Sequence, residues 1–251
     1  MTCSLPVDGK IVHPSSSRLV NPVECWKTCS GTIIGPNKIV TAAHCMYNEY
    51  NPKNYIEMLY VATYDGSWLD GRSWGIQDVQ YPFGTSSQNV RDEQTGYYHD
   101  LAVLTLKGQI PLGSDQRAAT ISNVNPQGQT AYICGNGDHE GSNNSLSWLK
   151  WKEVTVNSVD LILQKLTLSS RHVDPGDSGG GIFTFSGGQA YLHGVLSGFW
   201  DPWPFDGTVY TYIGFAHYPW VILQQNSFLA HGKFLQMNRK FSMMELKPED
   251  E

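Results

Sequence analysis

An all-β fold in a single domain is the reading that this sequence supports, on three observations. The chain has 251 residues, 40% of them hydrophobic, which is ample for a large core. All-β barrels of this length often form one domain. The second observation is the 25 glycines together with a scarcity of stretches with helical period. The third is that the apolar residues fall in short runs separated by turns rich in Gly, Pro and Asn, the pattern of many short strands.

Composition also excludes several function classes. The formal net charge of −6 argues against a nucleic-acid binder, since such domains are usually basic. No apolar run is long enough to cross a bilayer. The start, Met1-Thr2-Cys3-Ser4, has no charged region followed by an apolar one, so no signal peptide is visible in it. Removal of a leader and synthesis without one both fit. No His-x-x-x-His or Cys-x-x-Cys spacing suggests a metal site, and no phosphate-binding glycine loop follows a strand. No metal or cofactor is therefore expected.

Residues 1 to 28 are rich in Pro and Ser and read as an irregular arm. Cys29 to Thr41 reads as two short strands around the turn Gly35-Pro36-Asn37. Residues 46 to 98 carry many aromatics among Asn, Gly and Asp, as short strands on long loops do. Gly84 to Gly96 is polar and reads as an exposed loop. Leu101 to Leu106 is apolar at most positions, as a strand buried on both faces would be. Gly108 to Gln129 reads as a linker. Ala131 to Gly137, Trp151 to Val156 and Val159 to Leu168 are strand-like, with a polar loop from Asp138 to Ser147 that holds the sequon Asn143-Asn144-Ser145. Ile182 to Phe185, Leu192 to Gly198 and Val209 to Ile213 are further strands. Tyr218-Pro219-Trp220 opens a helix with Pro in its first turn. Phe234, Leu235, Asn238, Phe241 and Met244 fall near helical spacing, and a disordered tail ends the chain.

Three motifs carry chemistry. Asp174-Pro175-Gly176-Asp177-Ser178-Gly179-Gly180-Gly181 places a serine in a tight glycine turn, which holds a hydroxyl forward with backbone N–H groups behind it. Upstream stand Thr41-Ala42-Ala43-His44-Cys45 and His99-Asp100-Leu101-Ala102. These motifs, in this order, resemble the chymotrypsin/trypsin superfamily of serine peptidases, from about Cys29 to Trp220. The wording Ser30-Gly31-Thr32-Ile33-Ile34-Gly35-Pro36-Asn37 resembles the bacterial glutamyl-endopeptidase branch. The resemblance implies two six-stranded antiparallel β-barrels with a C-terminal helix. The first barrel would span about 29–107, the linker 108–129, the second barrel 130–217, and the helix and tail 218–251.

The resemblance also implies roles. His44 would be the general base, Asp100 its orienting acid and Ser178 the nucleophile. The N–H groups of Gly176 and Ser178 would form the oxyanion hole. Ser197 would stand against the acid. Cys29 would pair with Cys45, sixteen residues on, and such a disulfide points to an extracytoplasmic setting. Of the other cysteines, Cys3, Cys25 and Cys134, an odd count leaves at least one unpaired. Cys134 reads as a small buried apolar residue. Gly9-Lys10-Ile11-Val12 resembles the family's activation site, where a freed Ile-Val amine pairs with the acid before the nucleophile, here Asp177. Because His13-Pro14 replaces the usual glycines, a short strand is the favoured reading there.

Substrate binding falls on His172, Ser197, Phe199 and Thr208. His172 stands six residues before the nucleophile, where trypsin-like enzymes carry Asp, so cleavage after Lys or Arg by that route is not expected. A pocket histidine favouring acidic side chains and a surface loop histidine both remain open. Phe199 replaces a small pocket residue, and Thr208 falls near the position of another. The expected function is serine endopeptidase activity on polypeptides, through an acyl-enzyme. The alternative is a latent or inactive protease-fold binding protein. An esterase fits less well, because the α/β-hydrolase order is absent.

Overall fold

The computed structural model describes residues 5–7, 10–12, 16–20, 28–46, 60–62, 73–82, 99–112, 117–135, 137, 150–169, 173–200 and 207–227. Several expectations lie outside them: the loop 84–96, the sequon, His172, the helix near Phe234, the terminal tail, Cys3 and Cys25.

Apolar runs broken by turn residues curl into a closed barrel of β3 (Ser16–Val20), β4 (Thr28–Gly35), β5 (Lys38–Thr41), β6 (Tyr60–Ala62), β7 (Ser73–Gln80) and β8 (Ala102–Leu106). The order around it is β3-β4-β5-β8-β7-β6. Pairing of Leu19 with Val61 closes the ring. Ile33, Ile39, Leu104 and Leu106 fill its interior, and every residue of β5 is buried. The arm read as irregular thus supplies the first strand of this barrel. It also holds a separate hairpin of β1 (Leu5–Val7) and β2 (Lys10–Val12), so Lys10-Ile11-Val12 is the short strand favoured by its sequence.

The second sheet contains β9 (Thr120–Ile121), β10 (Thr130–Gly135), β11 (Lys150–Thr155), β12 (Ser158–Asp160), β13 (Lys165–Thr167), β14 (Gly181–Ser186), β15 (Gln189–Trp200) and β16 (Gly207–Tyr212). Its path is β11-β10-β14-β15-β16-β13-β12, with β9 parallel to β15 off the path. The two ends of the path, β11 and β12, are consecutive in the chain and separated only by Val156 and Asn157. One bent strand therefore pairs with β10 on one side and β13 on the other, which curls the sheet into a second six-stranded barrel. This is the two-barrel chymotrypsin-type fold. Ala131, Val154, Leu166, Leu196 and Tyr210 pack inside it. A helix, α1, covers 218–227.

Two local readings change. Val159 to Leu168 is not one strand but the hairpin β12–β13. Asp160 Oδ1 accepts from the N–H groups of Ile162 and Leu163, both at 2.9 Å. An aspartate that closes such a turn ends the strand. Cys134 is not a lone apolar thiol but is disulfide-bonded. With Cys29 and Cys45 joined to each other, Cys3 and Cys25 are the remaining candidates for its partner.

Candidate active site

β5 and β8 run antiparallel, with Thr41 opposite Ala102. That pairing puts the end of β5 beside the start of β8. A 3-10 turn, Ala43–Met46, follows β5 and carries His44, while Asp100 stands just before β8. His44 Nδ1 lies 2.6 Å from Asp100 Oδ2. A carboxylate only accepts, so Nδ1 carries the proton and Nε2 keeps its lone pair. The His44 N–H donates to Asp100 Oδ1 at 2.8 Å.

Asp100 is 1% exposed, and a buried carboxylate needs donors around it. β15 supplies one. Its register against β16 shifts between Leu196 and Gly198, which leaves Ser197 as the extra residue of a bulge. Bulges re-aim side chains, and Ser197 Oγ donates to Asp100 Oδ2 at 2.6 Å. Thr211 Oγ1 of β16 donates to the Asp100 carbonyl at 3.3 Å. The Thr211 contact carried no signal in the sequence, because it joins residues 111 apart.

Ser178 sits in the turn before β14. Asp177 N–H donates to Asp174 O at 3.1 Å, and Gly176 has φ of 99°. Pro at the second position and a positive φ at the third make this a type II turn. The first barrel holds the loop from one side. Ser30 N–H donates to Ser178 O at 2.7 Å, and Ser30 Oγ donates to Gly176 O at 3.0 Å. Thr41 Oγ1 in turn donates to Ser30 O at 2.7 Å. Among the described residues, the N–H groups of Gly176 and Ser178 donate to no protein acceptor. Ser30 and Thr41 were missed in the sequence, since a strand serine has no mark of this role.

The Cys29–Cys45 disulfide is present, and Cys45 Sγ touches both sides of the site. It lies 3.8 Å from His44 Nε2 and 3.8 Å from Ser178 O. These are packing contacts, because a disulfide sulfur has no proton to donate. They place the Ser178 turn against the His44 ring. Ser178 Oγ and His44 Nε2 are not hydrogen-bonded to each other. Cys29, His44 and Cys45 are the donors that cluster closely enough for a metal among the described residues. The two sulfurs are spent on each other and offer no thiolate.

The residues expected to bind substrate are placed in part. Phe199 pairs with Thr208 across β15 and β16, so the two positions share a face of the sheet. Thr208 is fully buried. Ser197 serves the acid rather than the open face. Among the described residues, a Cβ built on Gly198 would meet nothing within 4 Å.

A family model described as Trypsin matches residues 12–220. The chain belongs to the trypsin family. No curated protein sequence matches this trypsin-family chain. Among solved structures it is similar to the crystal structure of a scabies mite inactivated protease paralogue, S-I1. The TM-score is 0.64 at 24% identity, over 83% of this chain and 92% of the other. At that identity the likeness speaks for the fold alone. Membership of the trypsin family supports a protease-type function and polypeptide substrates. No helix among the described residues is long and apolar enough to cross a membrane.

Proposed function

We propose that this protein is a serine endopeptidase with Ser178 as nucleophile, His44 as general base and acid, and Asp100 as the acid that orients it. The observation that carries the reading is the 2.6 Å contact from His44 Nδ1 to Asp100 Oδ2, because it sets the tautomer. With Nδ1–H committed to the carboxylate, Nε2 is free to accept the Ser178 proton as Oγ attacks the peptide carbonyl. The carbonyl oxygen gains a negative charge, and the N–H groups of Gly176 and Ser178 receive it. Each such donor contributes about 3 kcal/mol in transition-state stabilisation. The imidazolium beside Asp100 then returns its proton to the leaving amine nitrogen. The C–N bond breaks, and an ester on Ser178 remains. Water, deprotonated by the same Nε2, attacks that ester and releases the acid.

Catalytic hydrogen bonds are often long without substrate. The second reading is a latent protease-fold binding protein. On the first reading, His172 and Phe199 shape the pocket with Thr208, and cleavage after Lys or Arg is not the preference. The Cys29–Cys45 disulfide supports an extracytoplasmic setting.

One experiment separates the readings. The full chain and Ser178→Ala are each given a fluorophosphonate probe and a diverse peptide library, read by mass spectrometry. Probe adduct and cleavage in wild type alone establish the peptidase, and the residue before each cut gives the specificity. Binding of peptides without adduct or cleavage overturns it in favour of the latent reading.

A further inference from the structure

His44 is built to do more than accept a proton. Its Nδ1–H is held by the buried Asp100 carboxylate at 2.6 Å, and Nε2 keeps its lone pair. Histidines that bind zinc carry the same arrangement, with one ring nitrogen on the metal and the other donating to a carboxylate. Ser197 Oγ and the His44 backbone N–H donate to that carboxylate in turn, which fixes it against the ring. What a metal needs beside Nε2 is further donors, and two sulfurs stand there.

Cys29 Sγ, Cys45 Sγ and His44 Nε2 all lie within 4.8 Å of one another. Cys45 Sγ is 3.8 Å from Nε2. Zinc bonds of about 2.3 Å to sulfur and about 2.0 Å to nitrogen, at a tetrahedral angle, hold two such donors about 3.6 Å apart. The spacing is therefore close to that of two ligands of one ion. In the disulfide the sulfurs are bonded to each other and the site is closed. Disulfides persist in oxidising compartments and are reduced in thiol-rich ones, so redox state decides whether these ligands exist.

We propose that Cys29 Sγ, Cys45 Sγ and His44 Nε2 form a zinc site that opens when their disulfide is reduced and that ties up the general base. Cys29 is partly exposed and Cys45 is buried, so a dithiol reductant meets Cys29 Sγ first. Its thiolate bonds to that sulfur, the S–S bond breaks, and the electron pair leaves on Cys45 Sγ. Its second thiolate then displaces Cys29 Sγ, and the reductant departs as a disulfide. Two electrons have passed to the protein, and the protons of the reductant's thiols end on the two cysteines. Zinc(II) replaces those two protons, takes the Nε2 lone pair as its third bond and leaves its fourth position to water. The two thiolates balance the charge of the ion. With the lone pair on the metal, Nε2 accepts no proton from Ser178. The metal site stands apart from the peptidase reading, and only the block of activity rests on it.

The test uses the full chain, reduced by a water-soluble phosphine, which leaves as the phosphine oxide, and then freed of reductant by gel filtration without air. Cobalt(II) is the spectroscopic probe, since cobalt on thiolate absorbs in the near ultraviolet, and zinc(II) is the competitor. The expected result is one cobalt per reduced chain with that band, displaced by one zinc, and none on the oxidised chain. Absence of metal from the reduced chain, or loss of its fold by circular dichroism, overturns the proposal. Reduction also acts on Cys134, which is disulfide-bonded, so a Cys29→Ser/Cys45→Ser chain that retains Cys3, Cys25 and Cys134 is treated alike. It is expected to show no band, and an equal band assigns the metal to the other cysteines and overturns the site. Asp100→Asn keeps both sulfurs but presents an amide donor to Nδ1, which moves the ring proton to Nε2. Its zinc affinity is expected to fall about 10–100-fold, and an unchanged affinity removes His44 from the ligand set and overturns the site. Fluorophosphonate labelling reads the consequence. The reduced chain is expected to label, to stop with one equivalent of zinc and to recover with a chelator. Labelling unchanged by bound zinc overturns the block of the base. No adduct in any state overturns the peptidase reading and that block with it, while the cobalt titration still decides the site.

Discussion

Asp100 shows how much one buried side chain can organise. It is 1% exposed and accepts from His44 N, His44 Nδ1 and Ser197 Oγ. A carboxylate in that position has only lone pairs to offer, and this makes the His44 tautomer single-valued. Replacing it by Asn changes the sign of one contact. The amide NH₂ donates, His44 presents Nδ1 as acceptor, and Nε2 takes the proton. Asp100→Asn is therefore expected to fold normally and to lose about 10⁴-fold in kcat. Steady-state kinetics beside circular dichroism checks it. A loss of only a few-fold means that the tautomer is set elsewhere.

At the scale of elements, the Ser178 loop is held between strands of both barrels. Gly179 shows how tightly. Its φ is 83°, and a Cβ there would run into Thr41 Oγ1 and Ser30 O. Its N–H donates to Leu196 O at 2.8 Å. Backbone strain alone costs on the order of 1–3 kcal/mol at such a position, and the obstructing carbonyl belongs to a paired strand that cannot give way. Gly179→Ala is expected to lower the urea midpoint, with stability down by about 2 kcal/mol or more. An unchanged midpoint in chemical denaturation contradicts that packing. The element scale is also where sequence reading succeeded and failed most plainly. The strands around Ile33, Leu104, Phe183 and Val209 were legible because their apolar runs end in clear turn residues. The hairpin at Asp160 was not. Its turn Leu161-Ile162-Leu163 is apolar, and its signal is a single aspartate side chain bonding forward. The strand Ser16–Val20 was hidden by its polar residues, since partners distant in the chain, not its own composition, hold it.

Over the whole molecule, two buried histidines tie distant parts together, and they set a dependence on pH. His193 Nδ1 donates to Val124 O at 3.1 Å, and its Nε2 accepts from Thr184 Oγ1 at 2.8 Å. That joins the segment between the barrels to the β14–β15 hairpin. His217, at the head of α1, donates from Nδ1 to Tyr212 O at 2.8 Å, and its Nε2 accepts from His99 Nδ1 at 3.0 Å. Burial lowers both rings to about 4. An unfolded histidine protonates near 6.5, so between these values the unfolded chain binds more protons than the folded one. Stability then falls as the pH falls through that window. The two sites together are expected to remove on the order of several kcal/mol by pH 4, at about 1.4 kcal/mol per pH unit per site. Thermal melts from pH 7 to pH 4 read this directly. A His193→Gln variant should lose less stability over the same range, and an equal loss contradicts the assignment.

Through resemblance to a known family the sequence implied the Cys29–Cys45 pair, and by itself it determined the order of the three chemical motifs. Each of these is a local string whose residue types already state a chemical need: a serine in a glycine turn, a histidine at a strand end, an acid before a buried strand. Tertiary structure alone decided what surrounds them. Ser30 and Thr211 become part of the site only because sheet register and barrel closure bring them there, and register depends on pairings between residues far apart in the chain. The same holds for Cys134. A cysteine in a strand looks like any small apolar residue until the fold brings a second sulfur to it.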